Sequence, residues 1–297
     1  MSCMANEDAT LYTRIKIFLE MIKFSHTIFA LPFAFTGALL AGRGLPTPAQ
    51  VGWIVLAMVG ARTAAMGLNR VIDAEIDGRN PRTRSRAIPA GLIGRGSVVV
   101  FIVVSVALML FAARMLNPLC LYLSPIALAF LVLYSYCKRF TSLAHVVLGI
   151  CLAGAPLGAW TAIRGTLDPG GFLLAFAVLF WVAGFDILYA LQDLDFDRAS
   201  GLHSIPVKLG VNGSLWTSRL FHLASCGFLA ALYLTLHLGP CYLVGFLAAC
   251  AMMGYEHWLL RGGDLEKLDA AFFNMNGYIS VTLFVATLAD ILLGNLA

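Results

Sequence analysis

Two sets of acidic side chains, each spaced by one helical turn, stand in a chain that is otherwise apolar. The first is Asn69-x-x-x-Asp73-x-x-x-Asp77, and the second is Asp193-x-x-x-Asp197, reached from Asp186 through Tyr189. Residues four apart on a helix lie one above the other. Asn69, Asp73 and Asp77 therefore form one polar stripe, and Asp186, Tyr189, Asp193 and Asp197 drift along a second. A carboxylate near lipid is costly unless its charge is offset. Two facing sets of hard oxygen ligands suit Mg²⁺, which combines carboxylates with water and phosphate oxygens. The pattern points to a divalent cation and a polyanion. Four acids in two matched pairs (Asp73, Asp77, Asp193 and Asp197) are hard to explain as packing. Asp186 alone stays open between a substrate contact and a hydrogen bond between helices. Asp195 points to the opposite side of its turn and is the weakest candidate of its set.

The elements that must hold these groups are membrane helices. The chain has 297 residues, is 60% hydrophobic and only 12% charged, with a mean hydropathy of +0.85. A soluble domain carries about twice that charged fraction. Apolar stretches near the ~20 residues needed to span a bilayer recur throughout. Lipid admits only helices or closed barrels, and the ~10-residue alternating segments of a barrel are absent. The expected fold class is all-α, a polytopic membrane protein read as one transmembrane domain over 1–297. Nine candidate spans cover 22–41, 51–73, 97–115, 118–137, 143–162, 171–193, 215–237, 240–260 and 277–294. The first twenty residues lack the ordered pattern of a cleaved signal peptide, and none is expected. Seven scattered cysteines and six histidines form neither a C-x-x-C pair nor an H-E-x-x-H motif, which argues against a structural zinc site.

Charge fixes an orientation. With the N-terminus cytoplasmic, sixteen of the twenty basic residues fall in inside loops; Arg43, Arg114 and Arg164 fall outside, and Arg62 lies within a span. This bias follows the positive-inside rule and puts both acidic sets at the cytoplasmic ends of the second and sixth spans. Ile88-Pro89 follows the first set and Ile205-Pro206 the second, each leading into a Leu- and Gly-containing tail. These similarities suggest a weak internal repeat, roughly 20–140 and 141–260, that would bring the two sets face to face.

Basic residues gather at the same membrane face. The loop from Arg79 to Arg86 supplies guanidinium groups, Arg82 and Arg86 among them, able to fork onto phosphate. Lys138-Arg139 and Lys208 share that face and either join the loop or serve only topology and anionic lipid. Arg62, seven residues before Asn69, returns to nearly the same helical face. Tyr134 and Tyr189 either offer ring faces to a cation or pack with satisfied hydroxyls.

The stretch Asn69-Arg-Val-Ile-Asp73-Ala-Glu-Ile-Asp77-Gly…Arg82-Thr…Arg86 resembles the first signature of the membrane-embedded aromatic prenyltransferases of the UbiA type. Tyr189-Ala-Leu-Gln-Asp193-Leu-Asp-Phe-Asp197…Gly201-Leu-His-Ser204 resembles their second. Tyr134-Ser-Tyr-Cys-Lys138-Arg139-Phe-Thr is similar to the family's short segment after the fourth helix. The resemblance covers nearly the whole chain. It implies an all-α bundle around a central cavity that opens to the cytoplasm and laterally to lipid. It also implies Mg²⁺-dependent transfer of a polyprenyl group from its diphosphate to an aromatic acid of the 4-hydroxybenzoate type, in ubiquinone or menaquinone synthesis. On this likeness Asp73, Asp77, Asp193 and Asp197, supported by Asn69, bind the diphosphate through Mg²⁺. Arg62 contacts the acceptor's carboxylate or the diphosphate. The implied partners are polyprenyl diphosphate, the aromatic acid and the bilayer of the inner (cytoplasmic) membrane, and no nucleic acid.

One departure concerns the acceptor. Where many 4-hydroxybenzoate enzymes carry a basic residue before a first-helix proline, this chain reads Lys23-Phe-Ser-His26-Thr-Ile. His26 either touches the acceptor or is a polar residue at the membrane boundary. The stretch Phe24 to Phe33 is similar to a branch whose acceptor is a dihydroxynaphthoate, so both acceptors are carried forward. Two other classes compete. An ion-coupled transporter accounts for intramembrane acids but not for their pairing with an arginine loop at one face. A membrane phosphotransferase needs Ala-Arg after its first D-x-x-D-G unit, whereas Asp77-Gly78 is followed by Arg79-Asn80-Pro81-Arg82.

Overall fold

The computed structural model describes residues 11–21, 30–260 and 268–295. Among these residues the chain is helical, without strands. An N-terminal helix α1 (Leu11–Met21) precedes α2 (Leu31–Gly42), α3 (Pro48–Ile72) and the short α4 (Ala74–Arg79). Then follow α5 (Arg95–Leu116), α6 (Pro118–Cys137), α7 (Ala144–Arg164) and α8 (Pro169–Ala190). A 3₁₀ turn at Leu191–Asp193 leads to the short α9 (Leu194–Ala199), and α10 (Ile205–Leu236), α11 (Pro240–Leu259) and α12 (Leu268–Leu292) complete the chain.

Seven helical segments among the described residues are long and apolar enough to cross a membrane. Two further expected spans coincide with helices that fall short of that measure. The first shows only as the twelve residues of α2, because 22–29 lie outside the described residues. The eighth, α11, is twenty residues long but carries Glu256-His257 near its end. The outer faces are greasy: Val100, Val103, Leu108 and Phe111 of α5 and Leu220 and Leu223 of α10 are all exposed. Apolar side chains turned outward in this way match a lipid surround.

Local signals set where the helices begin. Thr47 accepts from the Gln50 backbone while the Gln50 side chain accepts from Thr47, a capping box that opens α3 with Pro48 at its first position. Ser204 caps α10 by accepting from the Val207 N–H, and Pro206 follows. That helix starts at Ile205, ten residues before the expected start of the seventh span. Ile205-Pro206, read as part of a loop tail, is in fact a helix start. Gly210 (φ +67°, ψ −175°) is non-helical and divides α10 into two helical pieces at a kink, a conformation open to a residue without Cβ. The first-half counterpart, Ile88-Pro89, stays in the irregular loop between α4 and α5.

Backbone contact at small residues assembles the bundle. A Cβ on Gly37 would lie 2.5 Å from the Pro156 carbonyl, and one on Gly149 would lie 2.5 Å from the Leu179 carbonyl. Gly37 thus joins α2 to α7, and Gly149 joins α7 to α8. Gly60 and Gly67 similarly seat α3 on α5 against Ser105 and Ile102. Such positions allow the helix approach on which membrane bundles depend. Around them Phe33, Leu40, Trp160, Leu174, Trp181, Leu229 and Tyr242 form the main core. Phe18, Ala64, Val98 and Ile102 form a second.

Candidate active site

Both acidic motifs fall at a break in a long helix. Asp73 ends α3 with φ −90° and ψ 1° and starts α4. Asp193 stands between the 3₁₀ turn and α9 with φ −102° and ψ 6°. The two backbones match closely at the first acid of each pair. The turn is kept after the first break, since the Asp77 N–H donates to the Asp73 carbonyl at 2.8 Å. Asp73 and Asp77 therefore remain one turn apart.

Asp73 and Asp77 are buried, at 2% and 4% exposure. Asp73 Oδ2 accepts from Asn69 Nδ2 at 2.9 Å and pairs with Lys138 Nζ at 2.7 Å. Arg139 Nη1 lies 3.1 Å from Asp73 Oδ1, yet it is not aligned to donate, and that oxygen has no hydrogen-bond partner. Arg139 is held elsewhere too, donating to the carbonyls of Ser135 and Ile72. Asp77 Oδ1 pairs with Arg86 Nη1 at 2.7 Å, while its buried Oδ2 takes no hydrogen bond.

The second motif is gripped by the loop that follows the first. Asn80 Nδ2 donates to Asp193 Oδ1 at 3.0 Å and Arg82 Nε donates to the same oxygen at 2.9 Å. Arg82 Nη2 bonds Asp193 Oδ2, making the grip bidentate, the strong form of an Arg–carboxylate pair. Arg82 Nη1 also reaches the Tyr189 hydroxyl at 3.3 Å, with the guanidinium 5.5 Å from that ring's centre. Burial alone would lower the Arg82 pKa, but the Asp193 carboxylate outweighs it and the pKa is raised.

Shared cations show that the two motifs occupy one site. Arg86, paired with Asp77, also acts electrostatically on Asp193. Lys138, paired with Asp73, acts on Asp197. The His203 N–H donates to the Lys138 carbonyl at 2.8 Å, tying the segment after α9 to the end of α6. Asp197 lies in the field of Asp193, Lys138, His145 and Arg82 and forms no ion pair among the described residues. Tyr134 lies close enough to Asp186, Asp73 and Arg70 to interact with all three charges.

Several expected members stand apart. Lys208 is exposed on α10 and pairs with no acid among the described residues. Asp195 is exposed as well. His26 and Lys23 lie outside the described residues. Arg62, on α3 two turns below Asn69, has its Nε buried and without a partner. Asp186 meets His145 instead of the main cluster, with Nδ1 2.7 Å from Oδ2.

Three participants went unnoticed in the sequence. Arg70 is buried, donates to Asn69 Oδ1 at 3.3 Å and lies 3.9 Å from Asp77 Oδ2. Its spacing of seven from Asp77 placed both on one helical face, a signal that was available. Asn80 follows a short helix and showed only as a turn residue. His145 had no local signal, because its carboxylate partner is 41 positions away.

Buried acids and bases interlocked at one end of a bundle of membrane-length helices define a multi-pass membrane protein with a charged site at its boundary. The chain belongs to the UbiA prenyltransferase family, whose model matches residues 30–278, and it is a membrane prenyltransferase. It is 31% identical to the 4-hydroxybenzoate octaprenyltransferase of Vibrio cholerae serotype O1 over 257 residues, which cover 85% of this chain and 88% of that relative. The 4-hydroxybenzoate octaprenyltransferase of Aliivibrio salmonicida is 30% identical over 254 residues, covering 86% and 88%. Among solved structures, the apo form of a UbiA homolog from Aeropyrum pernix K1 superposes with a TM-score of 0.82 at 33% identity, over 90% of this chain and 98% of that one. A UbiA homolog from Archaeoglobus fulgidus bound to DMAPP and Mg²⁺ shares the fold, with a TM-score of 0.73 at 18% identity over 92% and 98%.

Proposed function

We propose that the protein transfers a polyprenyl group from its diphosphate to 4-hydroxybenzoate, with Mg²⁺, in quinone biosynthesis at the cytoplasmic face of the inner membrane. The observation that carries this reading is the interlock itself: Asp193 held by Asn80 and Arg82, next to Asp73 and Asp77 held by Lys138 and Arg86. The relatives named for 4-hydroxybenzoate favour the benzoate over a naphthoate.

The residues fit Mg²⁺. The donors are hard carboxylate oxygens, two of which, on Asp73 and Asp77, are buried without a hydrogen bond. Asp197 forms no ion pair among the described residues. Asp73, Asp77, Asp193 and Asp197 would hold the metal, with Asn69 fixing Asp73. When bound, Mg²⁺ neutralises charge on the leaving diphosphate, an effect worth several kcal/mol.

The side chains account for the remaining work. Arg82, Arg86, Lys138 and Arg139 now rest on carboxylates, and they are the groups that grip diphosphate oxygens as the allylic C–O bond breaks. The bonding pair leaves with the diphosphate, and an allylic cation remains. Tyr189, whose ring already lies beside one guanidinium, and Tyr134 offer ring faces to that cation. The acceptor ring carbon ortho to the phenol forms the new C–C bond, and loss of its proton restores aromaticity. Arg62, with Nε unpaired in the interior, receives the acceptor's carboxylate. The exposed apolar helix faces let the prenyl tail enter from lipid.

Purified protein in nanodiscs with Mg²⁺ and a polyprenyl diphosphate is expected to prenylate 4-hydroxybenzoate at least about tenfold faster than a dihydroxynaphthoate, the preference a buried polar mismatch can give. Comparable or faster naphthoate turnover would reassign the acceptor. Prenylation of neither would remove the reading.

A further inference from the structure

His145 on α7 is buried, at 4% exposure, and sits between two other elements. Its Nδ1 lies 2.7 Å from Asp186 Oδ2 on α8. Its Nε2 faces the backbone N–H of Ile205, the first residue of α10, at 3.4 Å. That N–H can only donate, so Nε2 must be the unprotonated nitrogen. The ring proton then belongs on Nδ1, where it donates to Asp186. One backbone amide thus sets the tautomer of the histidine, and the histidine sets the rotamer of the acid.

Asp186 is the acid that the metal-and-diphosphate arrangement leaves unused. It is seven residues before Asp193, and its side chain is 20% exposed. Its Oδ1 takes no hydrogen bond from the described residues. It acts electrostatically on Tyr134, which also interacts with Asp73, so it borders the same site. A carboxylate tethered through one oxygen, with the other open, is a fixed hydrogen-bond acceptor.

Resting on the reading above, we propose that His145 is a positioning residue that holds Asp186 in place to accept a hydrogen bond from the phenolic hydroxyl of the aromatic acceptor. The role concerns the acceptor and leaves diphosphate binding untouched. No covalent step passes through His145.

Two near-isosteric variants separate this role from a packing role. His145→Asn puts an amide N–H near the position of Nδ1 and gives up the contact to Ile205. His145→Gln reaches toward Ile205 and gives up the donor to Asp186. His145→Gln is expected to lower kcat/KM for the aromatic acceptor about ten- to a hundredfold, the range for losing a hydrogen bond to a charged group. Its KM for polyprenyl diphosphate should stay within about twofold. His145→Asn is expected to recover most of the loss while melting at a lower temperature. A purely structural His145 would give the reverse order, or equal losses toward both substrates, and either result overturns the proposal.

A second readout does not depend on activity. ¹⁵N-histidine spectra of the wild-type protein, with the resonance assigned by its disappearance in His145→Asn, should show the Nδ1–H tautomer. An Nε2–H tautomer would overturn the positioning argument even in an active prenyltransferase. The Nδ1–H tautomer in a protein that prenylates nothing would instead count against the wider functional reading.

Discussion

Asp73→Asn and Asp193→Asn are each expected to lower prenyl transfer by about a hundred- to a thousandfold, the range for removing one preorganised electrostatic group. Asparagine keeps the size and one oxygen of the carboxylate, removes its charge and puts an NH2 donor in place of the other oxygen. The folded state should tolerate the change. Lys138 and Arg139, left behind by Asp73→Asn, have side chains 29% and 32% exposed, and Arg82, left behind by Asp193→Asn, is 36% exposed. All three cations can turn to water. The basic end of each lost pair already reaches water, and pairs open to solvent contribute little to stability. Melting temperatures in detergent should therefore stay close to wild type while turnover collapses. Retention of more than about a tenth of the rate by either variant would separate that acid from the chemistry.

The second large effect is on assembly. Gly149→Ala places a methyl 2.5 Å from the Leu179 backbone carbonyl, and a backbone atom cannot swing aside as a flexible side chain can. Helix α7 must then move away from α8, and overpacking of this kind costs about 1–3 kcal/mol, occasionally more. Gly149→Val should exceed that and leave little folded protein. Gly154 supplies the control, since it lies on the same helix and a Cβ there meets nothing within 4 Å. Gly154→Ala should melt like the wild type or slightly higher, because alanine is the better helix former. Equal melting temperatures for Gly149→Ala and Gly154→Ala, read by thermal denaturation in one detergent, would contradict this packing.

Much of this was legible in the residues. Spacing by fours placed Asp73 over Asp77 and Asp193 over Asp197, and hydropathy marked the helices that carry them. The helix break at Asp73 and again at Asp193 was not legible. Nothing in the local residues forbids a continuous helix, and the breaks come with bonds made across the bundle by Asn80, Arg82 and Lys138. The start of α10 was missed because Ile205-Pro206 resembled the loop pair Ile88-Pro89, although the Ser204 cap was there to be read. The partners of Gly37 and Gly149 required the fold, since small residues mark a close approach without naming the neighbour. His145 illustrates the same limit in the site, as its two contacts come from helices distant in sequence.

The arrangement also explains how so many charges persist at a membrane boundary. The two buried acids of the site, Asp73 and Asp77, each have a basic partner nearby in the first part of the chain, and Arg82 carries the pairing across to Asp193. Arg82 with Asp193 thus ties the two motifs together, while Lys138 offsets the charge of Asp73. On the proposed function, a metal-loaded diphosphate would exchange these internal pairs for contacts of the same signs.

Mn²⁺ in place of Mg²⁺, followed by electron paramagnetic resonance with a non-reactive prenyl thiolodiphosphate, tests the shared site most directly. The account predicts tight Mn²⁺ uptake that requires the diphosphate analogue and is lost in both Asp73→Asn and Asp193→Asn. Uptake that survives either substitution, or that ignores the analogue, would show that the two acidic motifs do not serve one metal–diphosphate site.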